Sequence, residues 1–532
     1  MPQISNTREV EIKTQGFAQG VNVQDAPNLL TPTEVRRAEN GIFDERGGFT
    51  KRSGCQNQGT FGASTDRILS TYVFYRGEGV APHYLIHTTA GAVYYTTDPV
   101  ANPPGTPVVW TTVVASGFSI SQPMAWETFN GKVYMCDGTH YSSWDGTTYA
   151  TYPSAPKGKY IRLYKDTMWV AGVTGLPDRV YSSNAGDAET WPVANWVDIR
   201  HGDGDAIRAL ASDGVYLIIG KRNTGTIIYD PALFYNRVYD YEKGIESHWS
   251  VIQHESSIFY LTRRGIAEWQ GDAPASLISY KIDPVFDPHI LNYDNLQYAW
   301  AYSLGQVVSW CVPEVGAGYA TMQVNYYPRL AELTALGVRG LGPWSFDRIP
   351  IACASIYRYQ DKIRLFGGAI PLSPGAACNK FYWVFADGVG QDDGQTFTAI
   401  LETGAFDFGQ PLLTKYVRRM RILGRGRFNV QLKRNFQNTL YRTSSIDLSA
   451  ATDNWNSHNW NVGSWGPDAN VKETTINPDA YGRFITVVFS DSDPAAGSMA
   501  VPVGSRDYSK PTGQWSILGC ILDGQLLGVR NT

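Results

Sequence analysis

Short apolar runs separated by tight polar turns recur along most of the chain. MAWETF at 124–129 meets Asn130-Gly131, KVYMC at 132–136 meets Asp137-Gly138, and YSSW at 141–144 meets Asp145-Gly146. Asn-Gly or Asp-Gly between two such runs predicts a β-hairpin, because a type I′ turn requires positive φ at two successive residues. The beat returns with IRLY (161–164) and MWVAG (168–172). It returns again with ALAS (209–212) and VYLII (215–219), and with HWSVI (248–252), IFYL (258–261) and IAEW (266–269). Weaker copies lie at 72–95, 299–326 and 356–385. These make roughly seven units at the ~40–50-residue spacing of propeller blades. A single sheet of this kind cannot bury both faces, whereas stacking sheets in a ring does so and protects their edges.

The pattern therefore predicts an all-β protein, with a β-propeller of about seven blades over 61–390 in preference to an irregular pair of β-sandwiches. Residues 1–60 predict an extended N-terminal arm: Gly-rich at 16–22, a turn at 25–28, a short helix over 33–40 capped by Thr33, and a strand after Gly47-Gly48. Beyond the polar stretch 388–394 the rhythm changes. FTAILE (397–402), YVRRMRIL (416–423), RFNVQLK (427–433) and FITVVF (484–489) include half-buried alternation. They predict a C-terminal β-sandwich or barrel-like domain over 391–532. Its long polar loop, 444–479, carries Trp455, Trp460 and Trp465.

Composition supports strands and turns, with 53 Gly, 32 Tyr, 21 Phe and 16 Trp against 18% charged residues. A net charge of −4 argues against a general nucleic-acid binder but does not exclude a channel that DNA slides through, since sliding is helped by not gripping phosphate. The six scattered cysteines contain no C-x-x-C, so a reducing cytosol is expected at folding rather than a disulfide framework. No apolar leader opens the chain and no run approaches the ~18 residues needed to span a bilayer, which predicts a soluble protein without membrane insertion.

Motifs with catalytic meaning fail on inspection. His254-Glu255 begins like H-E-x-x-H, but Ile258 stands where the second histidine must be. The segment 214–221 has a strand where a phosphate loop needs glycine-rich backbone. Asp203-Gly204-Asp205 and Asp392-Asp393-Gly394 lack the distant glutamate of a calcium loop and read as turns. SSNAGDAETW (182–191) looks like the Asp-box hairpin of sialidases, two residues too long, and that hairpin serves folding. No catalytic, cofactor or metal residues are assigned, and the chain is expected not to be an enzyme. The competing expectation is a glycan-binding or glycan-cleaving propeller, motivated by the Trp-rich loop and the Asp-box-like turn.

One basic cluster stands out: Lys415, Arg418, Arg419, Arg421, Arg425, Arg427, Lys433 and Arg434. It suits a subunit interface or a phosphate-facing surface. The interface is favoured, since arginine pairs carboxylates bidentately and aromatics do not alternate with these residues as a stacking platform requires.

The opening segment carries a further pattern: FAQGVN (17–22), DAP (25–27), Leu30, Glu34, AENG (38–41) and GGFTKRSG (47–54). Residues 183–187, 191, 196–198 and 202–207 add a block, as do 403–409 and 415–419. Together they resemble the nozzle proteins of short-tailed phages, also called tail tubular protein B. The resemblance implies a virion component made in the host cytoplasm. It implies a homo-oligomer, a six-fold ring below the portal and head-to-tail adaptor, that extends the channel for double-stranded DNA and docks fibres or a needle. The candidate assembly interface is Phe17, Pro27, Arg36, Asn40, Arg52, Arg418, Arg419 and Arg421.

Overall fold

The computed structural model describes residues 9–14, 16–100, 106–230, 235–271, 274–334, 342–360, 362–371, 377–437, 439–448, 472–491 and 516–527. The predicted loop tryptophans Trp455, Trp460 and Trp465 lie outside these residues, as does most of 491–508.

The chain is mostly β and contains a propeller. Six free-standing antiparallel sheets of four strands follow one another, at 68–114, 125–151, 160–198, 207–240, 252–277 and 351–384, the last completed by Gln56–Thr60. That strand pairs with Lys380–Val384, so a segment preceding the first blade closes the last one. The ring also closes through the packing of Ile351–Tyr359 beside Ile68–Phe74, where the Thr71 and Ser355 hydroxyls meet at 2.7 Å. Asn130 and Gly131 take positive φ (47° and 72°), as their hairpin requires.

Between the fifth and sixth free-standing blades runs another four-stranded meander, Trp300–Leu304, Val307–Val312, Met322–Tyr326 and Trp344–Asp347. Its first strand packs between Ile252–His254 and Ile351–Tyr359, but the meander belongs to a larger sheet, so the propeller has six blades where about seven were expected. It does not end as a blade. Trp344–Asp347 pairs in parallel with Glu34–Glu39, at Glu39 and Phe346, and the sheet continues to 16 strands.

This large sheet gathers the first and last described strands. Glu9–Thr14 pairs with Ser516–Leu527, which pairs with the 21-residue strand Thr414–Arg434 and with Phe49–Lys51. The segment 9–51 is thus woven into the sheet. One core, including Phe17, Trp310, Trp344, Phe428 and Phe489, runs from the seventh meander into the terminal strands.

The helix expected over 33–40 is instead the strand Glu34–Glu39. Val35 and Ala38 are three residues apart, which mimics a helical face. A bulge between Val35 and Arg37 shifts the register, so both side chains reach the core from a strand.

Candidate docking face

The eight candidate interface residues separate into buried and exposed groups. Phe17 sits in the core with no exposed surface. Asn40 is buried, donating to the Thr398 carbonyl and accepting from Arg348 N–H. Arg52 is buried too and makes a two-pronged pair with Asp392, at 2.9 and 2.6 Å. It also donates to the Arg348 carbonyl and lies over the Phe397 ring at 3.7 Å. Asn40 and Arg52 tie the large sheet to residues flanking the last blade inside one chain, Phe17 fills the core, and all three leave little surface for a second subunit. Pro27 is half-buried, its carbonyl accepting from Ala405 N–H. Arg36, Arg418 and Arg419 are exposed, and Arg421 pairs with Glu11 at 2.9 Å.

The basic cluster on Thr414–Arg434 likewise divides. Lys415 is buried and donates to the Arg483 carbonyl; burial lowers its pKa. Lys433 pairs with Glu402 and Arg427 with Asp447. Only Arg418, Arg419 and Arg425 form no ion pair or aromatic stack among the described residues.

Sequence spacing missed a second constellation that the sheet assembles around Arg434. The long strand ends in a two-residue turn, where Asn435 and Phe436 both take positive φ (49° and 60°) and Gln437 N–H donates to the Arg434 carbonyl. Asn tolerates this conformation, but a bulky aromatic there is strained. Phe436 nevertheless stands 52% exposed and packs on Phe484, with ring centroids 4.6 Å apart. The Asn435 side chain accepts from the Arg483 and Phe484 N–H groups, which locks the turn against the 481–484 bend. Beside it the Arg434 guanidinium lies 4.3 Å from the Tyr441 ring and 5.5 Å from that of Tyr481, which is 49% exposed. Arg442 lies 5.6 Å over Tyr441. Hydrogen bonding to Tyr441 and Arg434 lowers the Tyr481 phenol pKa.

The result is a rigid exposed patch of arginine, tyrosine and phenylalanine, the residue types enriched where proteins meet. Three chain segments, 434–437, 441–442 and 481–484, supply it, so no single linear stretch carries it. The one legible signal was Asn435-Phe436 inside a run of strand residues, which marks a hairpin by its asparagine.

On the propeller axis, a cavity of about 370 Å³ is lined by residues including Tyr72, Trp126, Arg162, Ser212, His248 and Gln253. Its ionisable groups are muted. Burial, aided by the charge of Arg162, pushes the His248 imidazole down to about 3, so it stays neutral. Burial raises the Glu127 carboxyl although Arg162 lies 3.5 Å away.

The remaining motifs are held in structural contacts. Asp203 pairs with the fully buried Lys221, which also pairs with Asp178. Asp205 accepts from the Arg222 and Asn223 backbone, Asp392 holds Arg52, and Asp393 holds Lys380. His254 Nδ1 meets the Ser303 hydroxyl. In the Asp-box-like turn, the Asp187 carboxylate accepts from Glu189 and Thr190 N–H groups, and the Trp191 indole donates to the Ala188 carbonyl. No group of three His, Cys, Asp or Glu side chains suited to a metal occurs among the described residues.

No protein-family model matches the chain, and no curated protein matches it. Among solved structures it is similar to BBS1N in complex with ARL6DN, at 9% identity and a TM-score of 0.38, over 64% of this chain and 97% of that one. It is also similar to the Neurospora crassa Pan2 WD40 domain, at 10% identity and a TM-score of 0.38, over 65% and 98%. The propeller assignment rests on the strand order of this chain itself.

Proposed function

We propose that the chain is a structural subunit of a short-tailed phage tail, a nozzle protein that forms a ring and extends the DNA channel. The observation that carries this reading is how the opening pattern is used. The residues resembling the nozzle proteins, Phe17, Asn40, Phe49, Lys51 and Arg52, are all buried. Lys51 pairs with Asp491 at the end of a large-sheet strand, and Arg52 reaches Asp392, just past the last blade. The pattern thus specifies a rigid union of two bodies, which suits a scaffold under mechanical load. A core continuous across the junction resists domain motion, unlike the smaller polar contacts that let domains swing. The exposed arginine–aromatic patch and the open Arg418, Arg419 and Arg425 supply surface for neighbours. The expected partners are further copies of the chain, a head-to-tail adaptor, a fibre or needle, and double-stranded DNA that passes without sequence recognition.

Purified particles of the phage that encodes the chain provide the test. The reading expects the chain in particle proteins at about the copy number of a tail ring, and density for its propeller beneath the portal. Complete absence from particles would end it.

A further inference from the structure

We infer that the patch around Arg434 docks onto an acidic, partly apolar surface at 280–294 of a second copy of this chain. This inference rests on the ring reading above and names the two faces that would meet.

The case begins with charge. Residues 396–532 carry 14 basic side chains against 11 acidic, whereas residues 56–395 carry 31 acidic against 24 basic. The two parts of one chain are therefore complementary, and a head-to-tail contact between copies satisfies both. On the basic side, Arg442 and Arg483 are exposed and form no ion pair among the described residues. They flank the exposed Phe436 and Tyr481.

On the acidic side, the 3-10 segment Tyr280–Phe286 and the turn after it present Asp283, Asp287 and Asp294, all exposed and without a salt bridge among the described residues. Tyr280 and Ile290 stand exposed among them. This surface is firmly based: Lys281 pairs with Glu34 at 2.9 Å and its carbonyl accepts from Val23 N–H. Each face thus joins aromatic or aliphatic anchors to unpaired charge of one sign. Guanidinium groups meet carboxylates, and the anchors exclude water around them. The faces are different surfaces of the chain, so the contact is heterologous, the kind that closes a ring when the rotation per subunit divides a full turn.

The test is a charge exchange, read by light scattering during size exclusion of the full chain, with circular dichroism melts as the folding control. Wild type should elute as a ring. R442E/R483E should fall to monomer with an unchanged melt, and adding D283K/D287K to that variant should restore the ring. A ring that persists in R442E/R483E, or a monomer that D283K/D287K does not rescue, overturns the docking and leaves the ring reading standing. A wild-type chain that is monomeric at every concentration overturns both.

Discussion

Arg52 and Arg434 belong to the same body of the protein and do opposite work. The Arg52 side chain is fully buried, and its guanidinium is satisfied by Asp392, two backbone carbonyls, the Asn40 side chain and the Phe397 ring. Arg434 lies on two tyrosine rings at the edge of a strained turn, in a patch open to water. The difference teaches that arginine content alone does not mark an interface. Where every donor is used internally, removal leaves buried carboxylates uncompensated. Where the cation is spread over exposed rings, removal costs the fold little and costs recognition much.

The largest effect is expected at the junction. Arg52→Ala strands the buried Asp392 and removes the nearby positive charge from Asp347, and should cost about 3–5 kcal/mol. Urea denaturation followed by tryptophan fluorescence measures this; a midpoint unchanged from wild type would erase the contrast between the two arginines.

Next comes pH dependence at the same place. Burial raises the Asp347 carboxyl to about 6 despite Arg52, and its Oδ1 has no hydrogen-bond partner among the described residues. A carboxyl raised in the fold favours folding while protonated. Its contribution is therefore lost as pH climbs from about 4 through about 6. Asp347→Asn should raise stability on the order of 2 kcal/mol at pH 7.5 and leave it near wild type at pH 4. Equal shifts at the two pH values would show that Asp347 is not the titrating group.

At the patch the expected changes in stability are smaller. Phe436→Asn relieves the left-handed strain of a bulky side chain but gives up packing on Phe484, terms of about 1 kcal/mol each and opposite in sign. The melt should move little while self-association weakens. A large loss of stability would make Phe436 a core residue and blur the comparison. Smallest of all, Arg427→Ala breaks an ion pair with Asp447 whose side chains are 77% and 51% exposed, and should change stability by less than about 0.5 kcal/mol in the same urea titration.

The propeller was legible because hairpin chemistry is local. Asn130-Gly131 fixes its turn from two adjacent residues, and the period of the turns reports the blades. The meander between the fifth and sixth blades was legible as a weak copy at 299–326, but its continuation into a 16-stranded sheet, which leaves six blades instead of about seven, was not. That continuation depends on pairing Phe346 with Glu39, residues some three hundred positions apart. Distance in sequence also hid the burial of Arg52, whose partner is Asp392. One inserted residue at the bulge beside Arg36 disguised a strand as a helix. The patch escaped because Tyr481, about forty residues further on, joins Arg434 and Tyr441 only when the sheet is assembled.

Native mass spectrometry of the wild-type chain tests the central claim most directly. The account predicts one closed assembly, six copies of a 58.9 kDa subunit, with intermediates rare. A monomer that persists at high protein concentration would contradict it.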